Sequence, residues 1–186
     1  MLQDAVTGAD DEALLLCETA LAEEGDINMD HGEEARRLFM MGYNCAQSVF
    51  CAFRDETGLS LEESARLASS FGGGMGRLRE VCGGVSGALL ALGAICGYDD
   101  PCDREAKKAH YKLVQTFAGR FKEKNGTIVC RELLKNVPVT PGGVPEERTK
   151  EYYSRRPCPL LVRDAAALLD EMLNEMRQDE DMEAGI

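Results

Sequence analysis

The stretch that decides the fold is Val81-Cys82-Gly83-Gly84-Val85-Ser86-Gly87-Ala88-Leu89-Leu90-Ala91-Leu92-Gly93-Ala94-Ile95-Cys96-Gly97-Tyr98, the longest uncharged run in the chain. A membrane helix needs about 20 strongly apolar residues, and glycine dilutes this run. It therefore reads as a buried core helix, Cys82 to Cys96, apolar on every side. Gly83, Gly87 and Gly93 should let another helix approach it closely. Such a helix must be wrapped by others that are apolar on one face only.

Those others can be found on both sides. Gly32 to Met41 predicts a helix closed by Gly42. Asn44 is a good N-cap for a helix running to about Glu56, and Gly58 stops it. Ser60 caps Leu61 to Ser70, with Glu63 at the capping-box position. Phe71 to Gly76 is a glycine-rich turn that delivers Cys82. Asp103 caps a long helix to about Lys124, ended by Asn125-Gly126. Thr127 caps a short helix, Val129 to Lys135. Pro138 to Pro157 reads as a loop with a charged stretch. Pro159 suits the first turn of a final helix to about Gln178. No segment alternates apolar and polar residues for long. The expectation is an all-α fold, a compact bundle of about seven or eight helices.

The four-cysteine helical domain is expected to span 31–178. An acidic helical extension, with a helix over Asp10 to Glu24, precedes it over 1–30. An acidic tail, 179–186, is expected to fray. The chain has 186 residues and a formal charge of −12. That charge disfavours nucleic acid and an anionic membrane surface. Met1 to Asp11 lacks the basic start and apolar stretch of a signal peptide. A cytoplasmic location is expected, where structural disulfides are not the default. Eight cysteines then point to metal ligands, redox thiols or small buried residues.

Four of them share a placement. Cys45 follows the Asn44 cap and aligns with Val49, Ala52 and Phe53. Cys82 aligns with Val85, Ser86 and Leu89. Cys130 aligns with Leu133, Leu134 and Val137. Cys158 aligns with Leu161, Val162, Ala165 and Leu169. Each begins a helix and faces the core. The unpaired N–H groups of a helix start stabilise a thiolate and raise its reactivity. Convergence of the four is permitted by this pattern and is not dictated by it. Cys17, Cys51, Cys96 and Cys102 look incidental, although Cys96 and Cys102 could pair with each other. No CxxC or CxxCH occurs, so a thioredoxin motif, a zinc ribbon and covalent haem lack support.

Three further features stand out. Gly72-Gly73-Gly74-Met75-Gly76-Arg77 could cradle an anion but lacks a P-loop ending. Arg77 and Arg79 flank Cys82 and could either stabilise thiolates or be solvated. His110 lies on the core stripe of its helix and could serve a thiol or a metal, the structural role being commoner. His31, in a polar helix start, suggests nothing.

The runs Tyr43-Asn44-Cys45-Ala46-Gln47-Ser48-Val49, Ser69-Ser70-Phe71-Gly72-Gly73-Gly74-Met75-Gly76 and Cys82-Gly83-Gly84-Val85-Ser86-Gly87-Ala88-Leu89 resemble the C_GCAxxG_C_C family of redox-active proteins. So do Cys130-Arg131-Glu132-Leu133-Leu134 and Cys158-Pro159. The resemblance runs from about residue 33 to about 175 and implies one site built from Cys45, Cys82, Cys130 and Cys158. Gly84 departs from the alanine usual there. A similar domain is joined to haem modules in some cytochromes, which implies an iron–sulfur cluster as one occupant.

Two chemistries follow for a redox protein with an unknown redox partner. The four thiolates hold an iron–sulfur cluster for electron transfer, or two of them, Cys45 and Cys82 being the expected pair, cycle through a disulfide without any cofactor. The alternatives are a non-enzymatic interaction domain with structural zinc on the same four residues, or incidental buried cysteines. A homo-oligomer is compatible with all of these.

Overall fold

The computed structural model describes the backbone of residues 30–184, and the side chains of residues 30–178 and Met182. The acidic helix expected over Asp10 to Glu24, and Cys17 within it, lie outside the described residues.

Local capping sets where the helices begin. Asp30 accepts from the Glu33 N–H at 3.1 Å and starts α1, His31–Met40. Asn44 accepts from the N–H groups of Ala46 and Gln47, each at 3.0 Å, and Gln47 reaches back to the Asn44 N–H. This capping box starts α2, Cys45–Ala52, and satisfies donors that a helix start otherwise leaves unpaired. Phe53 breaks the helix, and a single turn follows, α3, Arg54–Thr57, ended by Gly58 at φ 67°. The sequence suggested one helix through Glu56. The break goes with Phe53 being fully buried and stacked on His31, ring centres 4.2 Å apart. Ser60 and Glu63 form the expected capping box of α4, Leu61–Ala68.

A 3₁₀ turn, Ser69–Phe71, leads into α5, Gly72–Met75. The core helix α6 is Gly83–Cys96, with Cys82 as its N-cap. Asp103 caps α7, Arg104–Asn125, and α8 is one turn, Cys130–Leu133. The region expected to be loop throughout contains α9, Lys150–Arg155, started by Thr149 accepting from the Tyr152 N–H at 3.1 Å. The last helix, α10, runs Cys158–Ala184, further than the expected end near Gln178.

The described residues contain no strand, only one antiparallel bridge, Val81 to Val129. The chain is therefore all-α, as its patterning indicates. No described helix is long and apolar enough to cross a membrane.

α2 is the hub, packed against α1, α4, α6 and α10. Phe39, Phe53, Val49, Leu92, Val162 and Leu169 are fully buried among these helices, each contributing about 1.5–3 kcal/mol through burial. The α2–α6 crossing is the tightest. A Cβ on Gly87 would stand 2.5 Å from the Ala46 carbonyl oxygen, and one on Gly83 would stand 2.7 Å from the Cys45 Cβ. Only glycine permits that approach, and it sets Cys45 beside the start of α6. Gly84 differs, because a Cβ there would meet only ordinary contacts at 3.4–3.6 Å. Gly93 has nothing within 4 Å of such an atom, so it does not serve the close approach expected of it.

Candidate functional site

The helix starts bearing Cys45, Cys130 and Cys158 open on one pocket of about 230 Å³. Cys45 and Cys158 begin α2 and α10. Cys130 begins α8 and is drawn in by the bridge: its N–H donates to the Glu80 carbonyl at 2.6 Å, and the Cys82 N–H donates to the Ile128 carbonyl at 2.8 Å. Cys82, 5% exposed, sits behind the pocket wall.

The four thiols are chemically unequal. Cys45 is lowered to about 6. Its main cause is a side-chain hydrogen bond from Cys158. The Gly73 N–H and the nearby positive charge of Arg148 add to this, against the cost of burial. Cys158 is correspondingly raised well above the ordinary thiol value, since it is the partner that keeps the proton. Burial pushes Cys82 up to about 12, and the charge on Cys45 adds to this, although the Gly84 and Val85 N–H groups point at its sulfur. Cys130 is raised by burial and by Cys45, with Arg79 opposing. Cys45 and Cys158 line the pocket together, and Cys82, the partner the sequence suggests for Cys45, interacts with both but is not part of the lining.

The glycine-rich turn does more than deliver Cys82. Gly73 and Gly74 adopt φ of 65° and 71°, conformations natural to glycine. They aim the Gly73 N–H at the Cys45 sulfur. A Cβ on Gly74 would stand 2.7 Å from the Cys130 Cβ.

A family model described as "Putative redox-active protein (C_GCAxxG_C_C)" matches residues 43–172. The chain belongs to that family. The matched span holds all four cysteines of the C_GCAxxG_C_C pattern and the turn that serves Cys45. Comparison with curated proteins and with solved structures returned no match.

In this C_GCAxxG_C_C protein the pocket's outer wall comes from the segment between α8 and α10. Glu146 ties it down. Its carboxylate accepts from Arg156 at 2.7 Å and from Arg77 at 3.4 Å, with Arg79 at 3.9 Å. Arg77 also donates to the carbonyls of Gly142 and Thr140 at 2.9 and 2.8 Å. Tyr152 lies between the guanidinium groups of Arg156 and Arg148, 4.5 and 5.1 Å from its ring centre. Arg77 and Arg79 are therefore not solvated: their side chains are 12% and 16% exposed, and both hold left-handed backbone at φ 70° and 63°. Arg79 faces Cys130 more than Cys82.

Sequence reasoning missed Glu146, Arg148, Tyr152 and Arg156. The available signal was the pair Arg155-Arg156, separated from Cys158-Pro159 only by Pro157. His110 is not at this pocket. It meets Tyr98 edge-on, 5.9 Å between ring centres, beyond the far end of α6. Cys51 is buried and raised to about 11 by burial, and Cys102 is exposed. The seven described cysteines are thiols. Among the described residues no group of three or more His, Cys, Asp or Glu side chains is placed to hold a metal ion.

Proposed function

We propose that this redox protein works through a Cys45–Cys158 dithiol–disulfide couple, with Cys45 as nucleophile and Cys158 as resolving thiol. The observation that carries this reading is that Cys45 and Cys158, at the starts of α2 and α10, line one pocket, with their interaction favouring the thiolate at Cys45 and the thiol at Cys158. A thiolate whose pKa lies near ambient pH is well matched to thiol–disulfide exchange.

The exchange balances as follows. The Cys45 thiolate attacks one sulfur of a partner disulfide, forming a mixed disulfide, and the other partner sulfur leaves as thiolate. Cys158 then gives its proton to that thiolate and attacks the Cys45 sulfur. The second partner thiolate departs, and the couple ends as a disulfide, two electrons more oxidised. The partner disulfide is reduced to two thiols, the second departing thiolate taking its proton from solvent.

A four-thiolate centre, of iron–sulfur or zinc type, requires three or four deprotonated sulfurs around one point. The donor set as arranged does not fit this: among the described residues no group of three or more His, Cys, Asp or Glu side chains is placed around one point, and Cys82 is outside the pocket lining. No step is routed through such a group.

The test is a thiol titration of the full chain before and after treatment with a small disulfide, followed by peptide mapping. The titre should fall by two, with the new bond between Cys45 and Cys158. An unchanged titre, or a bond joining other cysteines, would overturn the proposal.

A further inference from the structure

The pocket's charge runs against that of the chain. The whole sequence carries −12, yet four arginines and one glutamate line this pocket. Glu146 is shared by Arg77 and Arg156 at hydrogen-bond distance. The other two arginines have no hydrogen-bonded carboxylate. Arg79 Nη2 is buried without a hydrogen-bond partner, its nearest carboxylate being Glu146 at 3.9 Å, and a buried charged donor so weakly met is costly. Arg148 reaches only the Phe39 carbonyl, at 3.4 Å, and otherwise lies over aromatic faces.

Stabilising Cys45 does not account for this surplus. That thiolate is a single charge, met by Cys158, the Gly73 N–H and Arg148, and Arg79 borders Cys130 instead. Arg79 is held in place through a left-handed backbone, a conformation that non-glycine residues adopt at a cost and that clusters at functional sites. The space beside it, about 230 Å³, falls just below the range of about 300–1,000 Å³ usual for drug-sized ligands.

We propose that the pocket is a subsite for a low-molecular-weight anionic disulfide, whose carboxylate-type group rests on Arg79 and Arg148 while its sulfur meets Cys45. This rests on the dithiol reading above and names its substrate class. The covalent chemistry is the exchange already written, with the anionic disulfide reduced to two thiols.

The test follows oxidation of the reduced full chain by three disulfides: dianionic dithiodiglycolate, neutral bis(2-hydroxyethyl) disulfide and dicationic cystamine. Each rate is divided by the rate of the same disulfide with dithiothreitol, which removes differences in leaving-group chemistry. The anionic-to-neutral ratio should reach about tenfold in low salt and shrink in 1 M salt. Cystamine should rank last. Arg79→Gln and Arg148→Gln should each lower the ratio. Ionisation of Cys45 cancels from it, because all three disulfides meet the same thiolate.

A ratio no greater than one, or one unmoved by both substitutions, overturns the subsite while Cys45–Cys158 disulfide formation stands. If none of the three reagents joins Cys45 to Cys158, the dithiol reading fails, and the subsite fails with it.

Discussion

Cys45 and Cys158 begin α2 and α10 and line one pocket, and the interaction of the two thiols is the largest influence holding Cys45 at about 6. Removing Cys158 should release it. In Cys158→Ala, the pH midpoint of Cys45 alkylation by iodoacetamide should move up towards the ordinary thiol value. At pH 7 the rate should fall by about tenfold as the thiolate fraction drops. An unmoved midpoint would mean that Gly73 and Arg148 suffice without Cys158.

The two adjacent glycines of α6 should behave oppositely. Gly83→Ala forces a Cβ to within 2.7 Å of the Cys45 Cβ and should cost about 2 kcal/mol or more through overpacking. Gly84→Ala meets only ordinary contacts and should stabilise by up to about 1 kcal/mol through helix propensity. Chemical denaturation of both variants checks this. Equal effects would contradict the crossing geometry of α2 and α6.

His31 gives the fold a pH dependence. Its ring is buried between Asp170, 2.5 Å away, and Asp55, 3.1 Å away. Burial alone would lower its pKa, but the hydrogen bonds and charges of the two carboxylates raise it overall. A raised histidine stabilises fully below its unfolded value of about 6.5, and the benefit is lost as pH rises through the folded value. Cys45 works in the other direction. Its lowered pKa adds stability as pH climbs from about 6 towards the unfolded thiol value. The comparison must therefore be made against His31→Gln. Wild type should lose more denaturant midpoint than that variant between pH 5.5 and 8.5, and parallel curves would refute this role of His31.

Glu146 organises the pocket wall, and Arg156 beneath it has a side chain only 3% exposed. Glu146→Gln should destabilise by about 2 kcal/mol, because a buried guanidinium loses its charged partner. Full stability would show that the wall is held by its carbonyl contacts alone.

How far the sequence spoke for itself depended on distance along the chain. Asn44 with Gln47, and Ser60 with Glu63, place two helix starts through contacts three residues apart. Cys45 could therefore be located at a helix start from the sequence. The family pattern gathered the four cysteines. It could not rank them, because the rank depends on burial and on which sulfur faces the pocket. Glu146 joins Arg77 across 69 residues, and His31 joins Asp170 across 139. No local periodicity encodes such pairs. The charged stretch before Cys158 thus read as an ordinary loop, and His31 as an ordinary helix start.

The left-handed backbone at Arg77 and Arg79 brackets Leu78, which is 71% exposed. A surface-lying segment with two arginines would normally invite trypsin. Here both specificity-bearing side chains are turned inward onto Glu146 and the 140–142 carbonyls, and cleavage first requires pulling them out of the site. Resistance to nicking after Arg77 and Arg79 therefore serves as a native fingerprint of the assembled pocket, readable on a gel.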